Sequence, residues 1–407
     1  MLSQFSFCNF RSYKNETVFD FEATTAEEMC DSIISDAADG KKFLPVSVIY
    51  GPNGGGKSNL IRAFICMVST VAHPILLMEK AITSIDSMYS EVCHPFLFDE
   101  ISRNEPTDFE VYFRIEDVDF RYALSIHDGR ITDESLFRRS VGVKKPTKLF
   151  SREGNHVTRG NILTKSKVSV EVNEKMPYLS FLATTYRIPQ IDEAAKWFES
   201  CILQNYAVPL ADMITRIVEQ PEHKKLFLSV LHGVDACIQD YEPIYDSEQK
   251  PKGLLVIREI NGKRYSLPLE DESDGTRKMF QLLPVFINSL TGGKLLVVDE
   301  MDAKLHPTLL RYLISLYHNP CVNTRGAQLW FTSHDLTTMK NDVFRRDEIW
   351  FSYRDAEESS RVYSLYDIRT PKNAHIDVKS AYDKQYLEGR YGADPYFVKM
   401  LDWRQEP

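Results

Sequence analysis

Three short stretches of this chain are apolar almost throughout, and each stops on residues of a different chemical kind. VSVIY (46–50) runs into GPNGGGKS, LLVV (295–298) into Asp299 and Glu300, and QLWFT (328–332) into Ser333 and His334. Apolar runs this short, without polar alternation, predict strands buried on both faces, as in a parallel sheet covered by helices. Elsewhere the pattern alternates. FEVYFRI, FRYALSI and ITDESLF read as successive antiparallel strands, and the DVD and HDGR breaks between them carry the Asp and Gly of hairpin turns. GLLVIREI and KRYSLPL flank Asn261-Gly262, a strong hairpin signal, and a helix is predicted from about residue 275 to 290. Apolar positions recur at helical spacing over Ile191–Leu203 and Glu222–Gln239.

These elements predict an α/β chain in four parts. Residues 1–139 hold the glycine-rich loop and a β-rich lobe, and 140–250 form a mainly helical insertion. Residues 251–370 carry the second and third apolar runs, and 371–407 form a tail. A polar, acidic segment from about 24 to 40 reads as an exposed insertion. In the tail, SAYDKQYLEGRYGADPYFVKMLDW predicts aromatic residues packed back onto the domain, with a loop at Gly389, Gly392 and Pro395 between two short helices.

The glycine-rich loop carries the clearest chemistry. Strand, GPNGGGKS and then NLIRAFICMVSTV with helical character is the context a phosphate-binding loop requires. Glycines let backbone N–H groups turn onto phosphate oxygens, and the helix N-terminus adds the positive end of its dipole. Gly51, Asn53, Gly54 and Gly56 of the loop, with Lys57, Ser58 and Asn59 at the helix start, are therefore the candidate ATP-binding residues. Lys57 would reach the β- and γ-phosphates, and the Ser58 hydroxyl would ligate Mg²⁺. Asp299 would hold the same ion through water, and Glu300 would orient or deprotonate the attacking water. His334, at the carboxyl end of a strand, stands where ligands of α/β sheets collect and is a candidate γ-phosphate sensor.

Composition narrows the setting. At 407 residues and 43% hydrophobic content there is ample material for one or two domains. No apolar stretch approaches the roughly 20 residues that span a bilayer, and MLSQFSFCNF lacks the basic start and long apolar core of a secretory signal. Seven scattered cysteines without a C-x-x-C or Cys/His cluster predict reduced thiols in the cytoplasm and no structural zinc. A net charge of −9 disfavours wrapping of DNA by a uniformly basic surface. RRSVGVKKPTK at 138–148 is the most basic patch, read here as a solvated hairpin loop, with a nucleic-acid or partner contact as the sharper alternative.

A family resemblance is carried by CNFRSYKNETVFDF (8–21), GPNGGGKSNL (51–60), TDFEVYFRIEDVDFRYALSI (107–126) and ESDGTRKMFQLLP (272–284). VVDEMDAKLHP (297–307), FTSHD (331–335) and YLEGRYGADP (386–395) extend it. In these stretches the chain resembles the SMC/RecF-type branch of ABC ATPases, and more narrowly the RloA-like bacterial ATPases found with restriction and antiphage loci. The resemblance implies an ABC/SMC-type P-loop ATPase head that works with ATP and Mg²⁺ as a homodimer or higher homo-oligomer. It implies that Ser273 and Gly275 belong to a signature that contacts the γ-phosphate held by the opposite subunit, and that Asp302 lies in the D-loop at the dimer seam. It also places Arg11 and Ser12 near the nucleotide. ESDGT stands where transporters have LSGGQ, which argues against an energy subunit for membrane transport. No Q-loop glutamine is identified.

SMC proteins separate their two half-sites with long heptad arrays. The interval from Ser58 to Ser273 contains strands and no sustained heptads, so a long coiled coil is excluded. No HNH-like cluster or other second catalytic constellation is visible. The expectation is a sensor or regulator ATPase of an antiphage system, controlling a separate toxic effector such as a nuclease or RNA-targeting enzyme. A RecF-like repair ATPase that clamps DNA is the alternative.

Overall fold

The computed structural model describes residues 1–74, 93–204, 217, 223–233, 235–303, 305–370 and 375–391. At its centre is a six-stranded sheet ordered Ile202–Gln204, Leu295–Val298, Gln328–Thr332, Val46–Tyr50, Ile349–Arg354, Ser360–Ser364. All neighbours pair in parallel except the last two strands, which form an antiparallel pair. Every residue of VSVIY, LLVV and QLWFT is buried. Successive side chains of a strand point to opposite faces. Val46, Val48, Tyr50, Leu296, Val298 and Phe331 accordingly share one core with the helices Asp274–Gly292 and Pro307–His318. Ile49, Leu295, Val297 and Trp330 face the other way, onto the helix Lys57–Ala72.

That second core is closed by a seven-stranded sheet, ordered His156–Arg159, Thr147–Glu153, Arg130–Ser140, Val118–His127, Thr107–Ile115, Leu2–Cys8, Thr17–Asp20. Its strands pair antiparallel throughout. Trp330, fully buried, joins the two sheets: the rings of Phe5, Phe19, Phe21 and Phe64 lie 4.8 to 6.2 Å from it. Aromatic pairs at this spacing contribute about 0.5–1.5 kcal/mol each beyond the area they bury. Ile238–Tyr245, Pro251–Ile260 and Lys263–Pro268 form a three-stranded sheet, and Ile34–Ser35 pairs with Lys42–Phe43 in a two-stranded one. The hairpin of the three-stranded sheet turns at Asn261 (φ 52°) and Gly262 (φ 72°), both left-handed as a two-residue turn of this kind requires.

The segment 140–250 is less helical than the sequence suggests. Thr147–Glu153 and His156–Arg159 extend the antiparallel sheet, so the boundary at 139/140 cuts through a hairpin. The predicted helix Ile191–Leu203 ends at Ser200, and Ile202–Gln204 then joins the central sheet beside Leu295–Val298. Within Glu222–Gln239 the helix covers Lys224–His232, and the chain turns extended at Ile238. Short apolar runs suit either element, and the partner strand decides which forms. Helices do occupy Tyr178–Thr185 and Pro189–Ser200.

Residues 24–40 are largely exposed yet firmly tied. The buried Arg114 guanidinium bonds Asp36, Asp39 and Asp119, while Arg346 holds Glu28 at 2.7 Å. The tail keeps a helix at Tyr382–Leu387 and a left-handed Gly389, with Tyr382, Tyr386 and Tyr391 buried. Gly392, Pro395 and the second predicted tail helix lie outside the described residues. Among the described residues the longest helix, Asp274–Gly292, has 19 residues, and none is long and apolar enough to cross a membrane.

Candidate nucleotide site

Three of the buried strands end at one place. Val46–Tyr50 delivers the glycine-rich loop, and its neighbour Gln328–Thr332 stands between it and Leu295–Val298, which delivers Asp299 and Glu300. The Ser58 hydroxyl, in the first turn of the loop's helix, donates to Asp299 Oδ1 at 3.1 Å. Thr332 Oγ1 lies 2.6 Å from the same oxygen and accepts from the Glu300 amide at 2.7 Å. Glu300 itself is left-handed, at φ 53°.

Lys57 is buried, and its ammonium group donates to the carbonyls of Gly51 (2.8 Å) and Pro52 (3.1 Å), inside the curl of the loop. Burial pulls it down to about 8, against the opposing pull of the Asp299, Asp302 and Glu300 carboxylates. His334 is also pushed down, first by burial and then by the positive charge of Lys57, while Asp302, Glu300 and Asp299 oppose the shift. The net shift favours the neutral ring, and the His334 amide donates to Asp302 Oδ2 at 3.1 Å. The structure thus gathers Lys57, Ser58, Asp299, Glu300, Asp302 and His334 around one point. Asn53 and Gly54 stand exposed at the top of the loop.

The loop's shape is imposed from outside. A Cβ built on Gly51 or Gly55 would overlap the Ser352 carbonyl, and one on Gly56 would overlap the Ser360 hydroxyl. Ser352 Oγ donates to the Gly55 carbonyl at 2.7 Å, and the Tyr13 hydroxyl, 3.0 Å from Ser352 Oγ, reaches the Gly56 carbonyl at 3.3 Å. Ser12 ties in the helix: its Oγ accepts from Asn59 Nδ2 and from Ser360 Oγ, both at 2.8 Å. Arg11, left-handed at φ 51°, forms the turn that precedes it, and its amide donates to the His94 carbonyl. Tyr13, Thr332, Ser352 and Ser360 were not singled out in the sequence. A polar residue at or near the carboxyl end of an apolar run, as in QLWFT and IWFS, was the available signal for Thr332 and Ser352.

Ser273 and Gly275 lie elsewhere. Ser273 caps the Asp274–Gly292 helix, accepting from the Thr276 amide at 3.2 Å, and both residues are exposed. Glu272, just before them, is clamped by Arg258 through two bonds of 2.8 and 2.7 Å. The exposed residues Ser273 and Gly275 are thus held from both sides, by the Glu272–Arg258 clamp and by the first turn of the helix.

Among the described residues no group of three or more His, Cys, Asp or Glu side chains could hold a metal ion. Ser58 Oγ and Asp299 Oδ1 supply one hydroxyl and one carboxylate. This suits a small divalent ion that takes its other ligands from phosphate and water.

Residues 46–340 match the family model described as "AAA domain, putative AbiEii toxin, Type IV TA system". The chain belongs to this family. It is therefore a P-loop ATPase-family protein, and nucleotide binding comes with that membership. Among solved structures it is similar to an SMC head bound to the C-winged helix domain of ScpA, at 15% identity and TM-score 0.42, over 89% of this chain and 97% of that one. It is similar too to the SMC head domain from Thermotoga maritima, at 13% identity and TM-score 0.42, over 89% and 98% of the two chains. No curated protein matches.

Proposed function

We propose that this protein hydrolyses ATP to ADP and phosphate between two copies arranged head to tail, and that turnover controls a separate toxic effector in antiphage defence, in the manner of RloA-like ATPases. The convergence of Lys57, Ser58, Asp299, Glu300 and His334 at the ends of adjacent strands is the observation that supports hydrolysis. Lys57, now on the Gly51 and Pro52 carbonyls within the loop, would reach the β- and γ-phosphates, and His334 would donate to the γ-phosphate. Glu300 orients the attacking water and takes its proton. Ser58 and Asp299 would hold Mg²⁺, which when bound neutralises charge on the phosphates. Because Ser273 and Gly275 are exposed and braced by Arg258 through Glu272, they are available to complete the site of a second copy.

The regulatory half rests on the family, whose description couples the AAA domain to a toxin system. The setting would be the cytoplasm.

The test is to purify tagged Glu300→Gln protein from its native host, with and without phage, and identify what is bound. A near-stoichiometric toxic enzyme supports the regulator reading. Bound DNA with no protein partner in either condition replaces it with a DNA-clamping repair ATPase.

A further inference from the structure

The carboxyl end of the Gln328–Thr332 strand offers a further residue for the proposed hydrolysis, and the inference rests on that reading. Thr332 is fully buried. A hydroxyl has one proton to give, and here the Glu300 amide donates to it at 2.7 Å. The Thr332 proton therefore goes to Asp299 Oδ1, 2.6 Å away. The same oxygen takes a second proton from the Ser58 hydroxyl at 3.1 Å, which leaves Oδ2 without a protein donor among the described residues. The two oxygens of Asp299 are thus made different by their neighbours.

Thr332 also acts on the other acid. At φ 53° Glu300 holds a left-handed conformation that L-residues rarely adopt without support. Two bonds latch it there: its own amide to the Thr332 hydroxyl, and the Met301 amide to the Thr332 carbonyl at 3.1 Å. One buried threonine on the intervening strand therefore holds the Asp299 carboxylate and the Glu300 backbone at once.

We infer that Thr332 is a positioning residue. It presents Asp299 to the metal and fixes the backbone of Glu300, without itself touching nucleotide. Thr332→Val keeps the volume and removes the hydroxyl. The test reads binding of a fluorescent ATP analogue while Mg²⁺ is titrated, separately from phosphate release. The valine variant should bind the analogue without Mg²⁺ within about twofold of wild type, while the Mg²⁺ needed for half-maximal effect rises about 10- to 100-fold. Its kcat should fall over a similar range with KM little changed, and Thr332→Ser should restore both. Thr332→Cys, a weaker donor of similar size, should fall between them and serves if the valine variant does not fold.

Wild-type Mg²⁺ dependence in the valine variant would overturn the assignment. So would an equal loss of affinity with and without Mg²⁺, which marks a merely structural threonine. Wild-type protein that binds the analogue but releases no phosphate would defeat the hydrolysis reading instead, and the Mg²⁺ titration would still decide Thr332.

Discussion

The Ser352 hydroxyl donates to the Gly55 carbonyl at 2.7 Å across 297 residues of chain. The glycine-rich loop is therefore seated on a distant strand as well as on its own helix. Close approach of the two backbones explains the missing Cβ atoms better than loop flexibility does.

Substitution should separate the two explanations. Gly51→Ala places a methyl group against the Ser352 carbonyl, which cannot move without shifting its strand, and should abolish ATP binding. Gly54→Ala meets open space and should keep binding, losing only the roughly 1–2 kcal/mol of a left-handed L-residue. Calorimetric titration with ATP checks both. Wild-type affinity in Gly51→Ala would refute the seating account.

Lys57→Ala should lose nucleotide affinity and turnover together, because its ammonium group lies within the phosphate-binding curl. Glu300→Gln should bind ATP normally but release phosphate about 100-fold more slowly or worse, the usual loss when a general base is removed. It should also accumulate the closed dimer, seen by light scattering. Wild-type hydrolysis in Glu300→Gln would mean that another group is the base.

Glu134 and Arg152, opposite each other on adjacent strands of the antiparallel sheet, form a buried pair at 3.9 Å with both side chains at 0% exposure. Burial pushes the Glu134 carboxyl up, while the Leu179 and Tyr178 amides, Arg152 and the Tyr122 hydroxyl pull it back. The same carboxylate caps the Tyr178–Thr185 helix. Glu134→Ala should cost about 3–5 kcal/mol, since it leaves the buried Arg152 charge without its carboxylate and the Tyr178 and Leu179 amides without their acceptor. The double change Glu134→Leu with Arg152→Met should cost less than the sum of the two single changes. Urea unfolding measures each.

Asp39 offers a pH test of the clamp on residues 24–40. Hydrogen bonding to Arg114 holds its carboxyl down to about 2. A depressed folded value stabilises the fold above the unfolded value near 3.9, and the contribution disappears as pH falls toward the folded one. Wild type should therefore exceed Asp39→Asn in urea midpoint at pH 6, and the gap should begin to narrow near pH 4. A gap independent of pH would assign the difference to something other than this carboxylate.

Much of this architecture was readable because the central strands are buried on both faces and leave unbroken apolar runs. VSVIY, LLVV and QLWFT are observed with the predicted limits. The Asn261-Gly262 hairpin was readable for a different reason, since few residues tolerate two consecutive left-handed positions. The tie between Ser12, Asn59 and Ser360 was not readable: serines carry no periodicity, and their partners lie far away in sequence. Ile202–Gln204 escaped as well, because a three-residue strand takes its identity from Leu295–Val298 beside it. Residues 24–40 read only as an exposed insertion because their anchors, Arg114 and Arg346, belong to other elements.

The seating of the loop also has a consequence for biosynthesis. Gly55 leaves the ribosome 297 residues before Ser352, an interval of about 15–60 s at ordinary elongation rates. Both strands that flank Val46–Tyr50, Gln328–Thr332 and Ile349–Arg354, arrive late in that interval. The nascent polypeptide therefore carries a complete nucleotide motif that cannot yet fold into a receptor. Competence to bind comes only when the late strands close around it.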